Sequence, residues 1–173
     1  MANIQASLDW MHNMMGKVRY SMDLRHVAGY EDCSSAVFRA LQAGGFSIPY
    51  VGSTETLFQL RGTLLSPITR ADIRAGDVFV SGVPGASGYA AGHTGFALNV
   101  TQAIHCSSRF NGIGVSSNAD SVVAAYGGAP VYWFRVIGSS TPTPTPDPPD
   151  DDLIYLDDFV DHEYLQQVFG IKV

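Results

Sequence analysis

Residues 30–45 read YEDCSSAVFRALQAGG, an acidic and hydroxyl-rich opening followed by an apolar run and a double glycine. Val37, Ala40 and Leu41 share one face at helical spacing, and Gly44-Gly45 ends the run. The pattern predicts a helix over 33–43. Asp32 or a neighbouring hydroxyl is placed to cap it, which puts Cys33 in or beside the first turn. The unpaired N–H groups and the positive end of the dipole there favour a thiolate. Cys33 on its own has two readings, a small buried hydrophobe or a nucleophile. Its partners decide between them.

Around this helix the signals divide in two. Upstream, Ile4, Leu8, Met11 and Met15 recur at 3.6-residue spacing and stop at Gly16, predicting a first helix. STETLFQLRG predicts a third, from near Ser53 to Gly62. Downstream the period shortens. GDVFVSG (76–82), HTGFALNV (93–100), AIHCSS (103–108), GIGVSS (112–117) and PVYWFRVI (130–137) are short, β-branched or aromatic, and bounded by glycine or polar turns. Helices first and strands after argue for an α+β domain, with an antiparallel sheet packed on helices.

A cysteine nucleophile needs a base, usually histidine, and the base needs a group to orient it. Five histidines are available. His12 lies in the first helix and reads as surface or half-buried. His26, in the polar loop before Cys33, and His162, among acids, read as solvated. His93 opens a strand after the glycine-rich stretch SGVPGASGYAAG, and His105 lies in the next strand, twelve residues on. In a hairpin those two imidazoles face each other, one as base and the other fixing its tautomer. Cys106 alternates with His105 along its strand, so it points into the core when His105 points into the site. The rival arrangement is a zinc site of Cys33, His93, His105 and Cys106. It would bend the adjacent His105-Cys106 pair out of strand alternation, and no C-x-x-C or H-x-x-x-H spacing supports it.

The 173 residues are 46% hydrophobic and 15% charged, enough for one compact domain with a core. The net charge of −6 comes with no cluster of Lys or Arg, which argues against nucleic-acid binding. No apolar run reaches the length of a membrane span, and the first residues do not read as a signal peptide, so synthesis in the cytoplasm is expected. Two cysteines do not form a disulfide framework. GSSTPTPTPDPPDDD (138–152) reads as an extended linker. It separates a main domain, 1–137, from a short acidic segment, 153–173. That segment is expected to be an amphipathic docking helix using Leu156, Phe159, Leu165 and Phe169, on this domain or another chain, or else the start of a further module.

YEDCSSAVFRAL, RAGDVFVSG, AGHTGFALN and AIHCSS, in that order, resemble the bacteriophage endolysin amidases of the NlpC-like papain-fold superfamily. VRYSMDLR belongs to the same pattern, and the resemblance spans about residues 1–137. It implies a papain-like fold and hydrolysis of peptidoglycan, with Cys33 as nucleophile, His93 as general base and His105 orienting it. Tyr20 would help hold the oxyanion, while Asp32 and Ser34 would shape the site. Asp77 matches a recurring strand-start acid, for which a turn or capping contact is the simpler role. Ser35 replaces the glycine usual in the wider superfamily. The resemblance implies no metal or other cofactor, release to the wall through holin lesions, and cleavage between N-acetylmuramic acid and L-alanine. Cleavage within the stem peptide at D-glutamine–L-lysine, a non-catalytic wall-binding module and acyl transfer on the same thioester chemistry are the alternatives. Tyr20, Tyr30, Tyr89, Phe110 and Tyr126 are the aromatic candidates for the substrate groove.

Overall fold

The structure is a computed structural model that describes residues 2–139. Most of the Thr-Pro stretch and all of segment 153–173 lie outside the described residues. The first helix, α1, spans Ile4–Met14, and the Asn3 side chain caps it by accepting the Gln5 N–H at 2.9 Å. Ile4, Leu8 and Met11 are its buried stripe. Two short parallel strands follow, β1 (Arg19–Tyr20) and β2 (Tyr30–Glu31). Helix α2 spans Cys33–Ala43 and starts in a capping box between Asp32 and Ser35. Helix α3 spans Thr54–Gln59 behind a Ser53 cap.

The sheet is built from β3 (Leu65–Ile68), β4 (Val78–Ser81), β5 (His93–Ala97), β6 (Gln102–Ser107), β7 (Gly112–Ser117) and β8 (Val131–Val136). Its order is β3-β8-β4-β5-β6-β7, with every pair antiparallel. Alternation along the strands separates two faces. Val78, Val80, Phe96, Ile104 and Phe134 join Leu8, Val37, Phe38 and Leu41 in the main core. Phe79, Ala97, Ala103 and Trp133 form a second cluster with Val123. Val123 belongs to a fourth helix, α4, spanning Asp120–Gly127. Complete burial of each large apolar side chain stabilises the fold by about 1.5–3 kcal/mol. Among the described residues no helix is long and apolar enough to cross a membrane.

The fold is α+β with an antiparallel sheet, as the sequence predicts, but the helices do not all come first. Helix α4 falls between β7 and β8 and covers the second face of the sheet. Its sequence, DSVVAAYG, is short, rich in small residues and without a side-chain cap, which leaves little periodic signal. Strand β3 carries Pro67 and is also absent from the sequence reading. It lies at the sheet edge, where a missing N–H is tolerated.

Candidate active site

Asp32 builds the start of α2. One carboxylate oxygen, Oδ1, accepts the Ser35 N–H at 2.7 Å and the Ser34 hydroxyl at 3.0 Å. The other, Oδ2, pairs with Arg25 Nη1 at 2.8 Å. Arg25 also donates to the Gly52 carbonyl, tying the loop before β2 to the approach to α3. Cys33 follows directly in the first turn and is 7% exposed. The backbone N–H groups of Ser34 and Thr94 both act on its sulfur. Thr94 is the residue after His93, so the thiol lies beside the strand position that carries the imidazole.

The thiolate expected from the helix terminus is not what this environment favours. Burial, and then the Asp32 charge, push the Cys33 thiol up to about 12 against the opposing pull of the two amides and Arg25. Desolvation outweighs the dipole here, so the resting group is a neutral thiol.

His93 and His105 meet as the hairpin predicts. His93 Nε2 lies 3.0 Å from His105 Nδ1, with the rings edge to face at 4.8 Å. Burial lowers both pKa values, that of His105 to about 3, and the neighbouring ring lowers that of His93 further. Both rings are therefore neutral near pH 7. His105 Nε2 continues to the Ser116 hydroxyl at 2.9 Å. In the sheet His105 is flanked by two glycines, Gly114 as its register partner in β7 and Gly95 in β5. A Cβ on Gly95 would stand 2.6 Å from His105 Cβ and 2.6 Å from the Ile104 carbonyl oxygen. Glycine there is what allows the imidazole-bearing strand to approach.

Tyr126 of α4 stacks on His93 at 4.9 Å and 18° and meets His105 edge-on at 4.7 Å. Phe110 and Phe79 complete the aromatic surround of His105. These contacts fix both rings in place. Cys106 is fully buried in the main core, with its sulfur 3.5 Å from the Glu31 carbonyl oxygen. Among the described residues no group of three or more His, Cys, Asp or Glu side chains is arranged to hold a metal ion.

A cleft of about 340 Å³ opens over Cys33, and Tyr20, Arg25, Asp32, Ser34 and Tyr89 are among the residues lining it. Burial, with Cys33 and Asp32 close by, holds the Tyr20 phenol up at about 12, so it remains a hydrogen-bond donor. Tyr89 is 92% exposed at this cleft and sits at a φ of 55°. Its loop is anchored by Glu55, which accepts from the Gly85 N–H and the Ser87 hydroxyl, and by Thr54, which donates to the Ser87 carbonyl.

Of the aromatic candidates, Tyr20 and Tyr89 face the cleft, while Phe110 and Tyr126 pack on the histidines. Tyr30 pairs with Arg19 between β1 and β2. His12 is partly buried and contacts the Leu8 carbonyl at 3.0 Å, and His26 is exposed. Asp77 has the structural role expected for it, accepting the Arg74 N–H and pairing with Arg135. Ser116, Arg25 and the Thr94 amide are absent from the sequence reading. Strand alternation in GIGVSS puts Ser116 on the same face as Gly114, the one signal that pointed to it.

The family model of bacteriophage peptidoglycan hydrolases matches residues 3–143. A lysin of Pneumococcus phage Dp-1 is 33% identical over 147 residues, covering 82% of this chain and 49% of the lysin. The chain thus spans about half the length of that curated relative. Among solved structures, the P60 domain of an antigen from M. avium subspecies paratuberculosis aligns with a TM-score of 0.57 at 19% identity, over 78% of this chain and 94% of that domain. NlpC1 from Trichomonas vaginalis aligns with a TM-score of 0.53 at 16% identity, over 77% of this chain and 43% of that protein. At these identities the two likenesses show the NlpC-like fold.

Proposed function

The chain belongs to the bacteriophage peptidoglycan hydrolase family, and from that premise we propose that it cleaves an amide of peptidoglycan by attack of Cys33. The observation that supports this best is the neutral His93–His105 pair, with His93 on the same strand as Thr94, whose amide acts on the Cys33 sulfur. Because the thiol is protonated at rest, His93 takes its proton as sulfur attacks the carbonyl carbon. His93 Nε2 is engaged by His105, so Nδ1 is the nitrogen that takes the proton when Nε2 carries the hydrogen. Negative charge develops on the carbonyl oxygen, where the Tyr20 phenol and the free backbone N–H of Cys33 in the first helical turn serve as donors.

Collapse breaks the C–N bond, and the leaving amine takes the proton from His93. The acyl group remains on Cys33 as a thioester. Water then attacks it, giving a proton to His93 and later regenerating the thiol, and the acid is released. The resemblance favours the N-acetylmuramoyl–L-alanine bond, with D-glutamine–L-lysine in the stem peptide as the second choice. Action on the wall after holin-mediated release completes the proposal.

Mass spectrometry of purified peptidoglycan digested by wild type and by Cys33→Ala tests it. The expected result is release of whole stem peptides with a free L-alanine amino end by wild type, and none by the variant. A new amino end on lysine or a cross-bridge residue would move the cut and keep the mechanism. Undiminished cutting by Cys33→Ala would remove the cysteine mechanism.

A further inference from the structure

The contacts beyond His105 fix more than its position. Ser116 Oγ, besides lying 2.9 Å from His105 Nε2, lies 3.0 Å from the carbonyl oxygen of Ser117. A carbonyl oxygen only accepts, so the hydroxyl gives it its single proton. Ser116 Oγ must then accept, and His105 Nε2 must carry a hydrogen. A neutral imidazole has one N–H, so His105 Nδ1 is bare and accepts from His93 Nε2–H. His93 is neutral as well, which leaves its Nδ1 with a lone pair. Were the chain reversed, Ser116 would donate to His105, and His105 Nδ1–H would donate to His93 Nε2. His93 would then carry its hydrogen on Nδ1 and could not take a proton there. The two directions differ in where the Ser116 proton goes, and the 3.0 Å contact with the Ser117 carbonyl draws it there.

We propose that Ser116 is a positioning residue that sets the tautomers of both histidines, making Nδ1 the basic nitrogen of His93. The proposal rests on the reading of His93 as general base. Ser116 is 3% exposed and held in β7 by its register with Ala103, so bulk water does not compete for its hydroxyl. Burial keeps both rings neutral, the condition under which tautomers matter.

The test is ¹⁵N NMR of the histidine-labelled full chain near pH 7. Both His93 and His105 are expected to carry hydrogen on Nε2 and a bare Nδ1. A hydrogen on His105 Nδ1 would overturn the proposal. In Ser116→Ala, His105 is expected to populate both tautomers. Its kcat on a soluble peptidoglycan fragment should fall about tenfold with little change in KM, the size of one lost hydrogen bond. Ser116→Thr, which keeps the hydroxyl, should restore both readouts. A Ser116→Ala protein with the wild-type tautomer pattern and kcat would equally sink it. The wild-type spectrum decides the matter even if Ser116→Ala fails to fold. Because that spectrum needs no turnover, an inactive chain showing the expected tautomers would count against the hydrolase reading alone.

Discussion

Asp32 caps the helix that begins at Cys33, and after burial its charge is the largest influence keeping the Cys33 thiol protonated. One carboxylate therefore stabilises the scaffold and suppresses the free thiolate. Alkylation of Cys33 by iodoacetamide, followed by peptide mapping, should be much slower at pH 7–8 than for glutathione and should still be rising above pH 10. Asp32→Asn keeps an N-cap side chain but removes the charge, so labelling at pH 8 should quicken. The lost pairing with Arg25 should cost about 2 kcal/mol of stability in a chemical melt, because both partners are largely buried. Labelling of wild type that levels off near pH 8 would contradict this account.

The two histidines make stability pH-dependent with a definite sign. Their folded pKa values are depressed, so the unfolded chain binds protons that the folded chain refuses. Stability is complete above the ordinary histidine value of about 6.5 and falls as pH drops below it. Cys33 and Tyr20, with raised values, act at the other end. The unfolded chain loses their protons first, and stability declines above about pH 9. Thermal melts should therefore plateau between these limits. His105→Gln should flatten the acid slope, and an unchanged slope would mean that His105 is not buried as a neutral ring.

Gly95→Ala should damage the site through geometry. The new Cβ would meet His105 Cβ at 2.6 Å, the Ile104 carbonyl oxygen at 2.6 Å and the Phe79 ring at 2.8 Å. Two of these three are backbone-anchored atoms that cannot rotate away. A loss of about 2–3 kcal/mol is expected, with activity falling further than stability because His105 shifts from His93. Gly114→Ala meets the Phe110 ring instead, which can turn aside. It should be the milder change in both assays.

Asp77→Ala should be purely structural. Its carboxylate is 2% exposed and takes Arg135 in a two-point contact at 3.0 and 3.1 Å. Removing it leaves the guanidinium partly buried and without its main partner, a cost of about 2 kcal/mol once the partial exposure of Arg135 is allowed for. The melting midpoint should fall, while kcat measured well below that midpoint should stay at the wild-type value.

Much of this arrangement was legible because it rests on short-range rules. The cap at Asp32, the apolar face of Val37, Ala40 and Leu41, and the twelve-residue spacing of His93 and His105 can be read from neighbours along the chain. Helix α4 could not be read that way. Its identity as a helix depends on Val123 docking against Phe79 and Trp133, contacts made across the sheet. For the same reason Tyr126 read only as one aromatic among several, not as the ring stacked on His93. The thiolate expectation failed on burial. Sequence shows a helix start and its dipole, but the depth of Cys33 and the reach of the Asp32 charge emerge only when the sheet closes over them.

Strand β8, the last strand among the described residues, lies inside the sheet between β3 and β4, and β3 pairs with no other of these strands. On the ribosome the middle of the sheet is therefore made last. Until Val131–Val136 emerges, β3 has nothing to bond to, and β4 presents an open edge beside the strand that carries His93. Vectorial synthesis thus withholds a finished domain until translation has passed Val136, and a nascent chain halted earlier would hold every residue of the proposed triad without the sheet that aligns them.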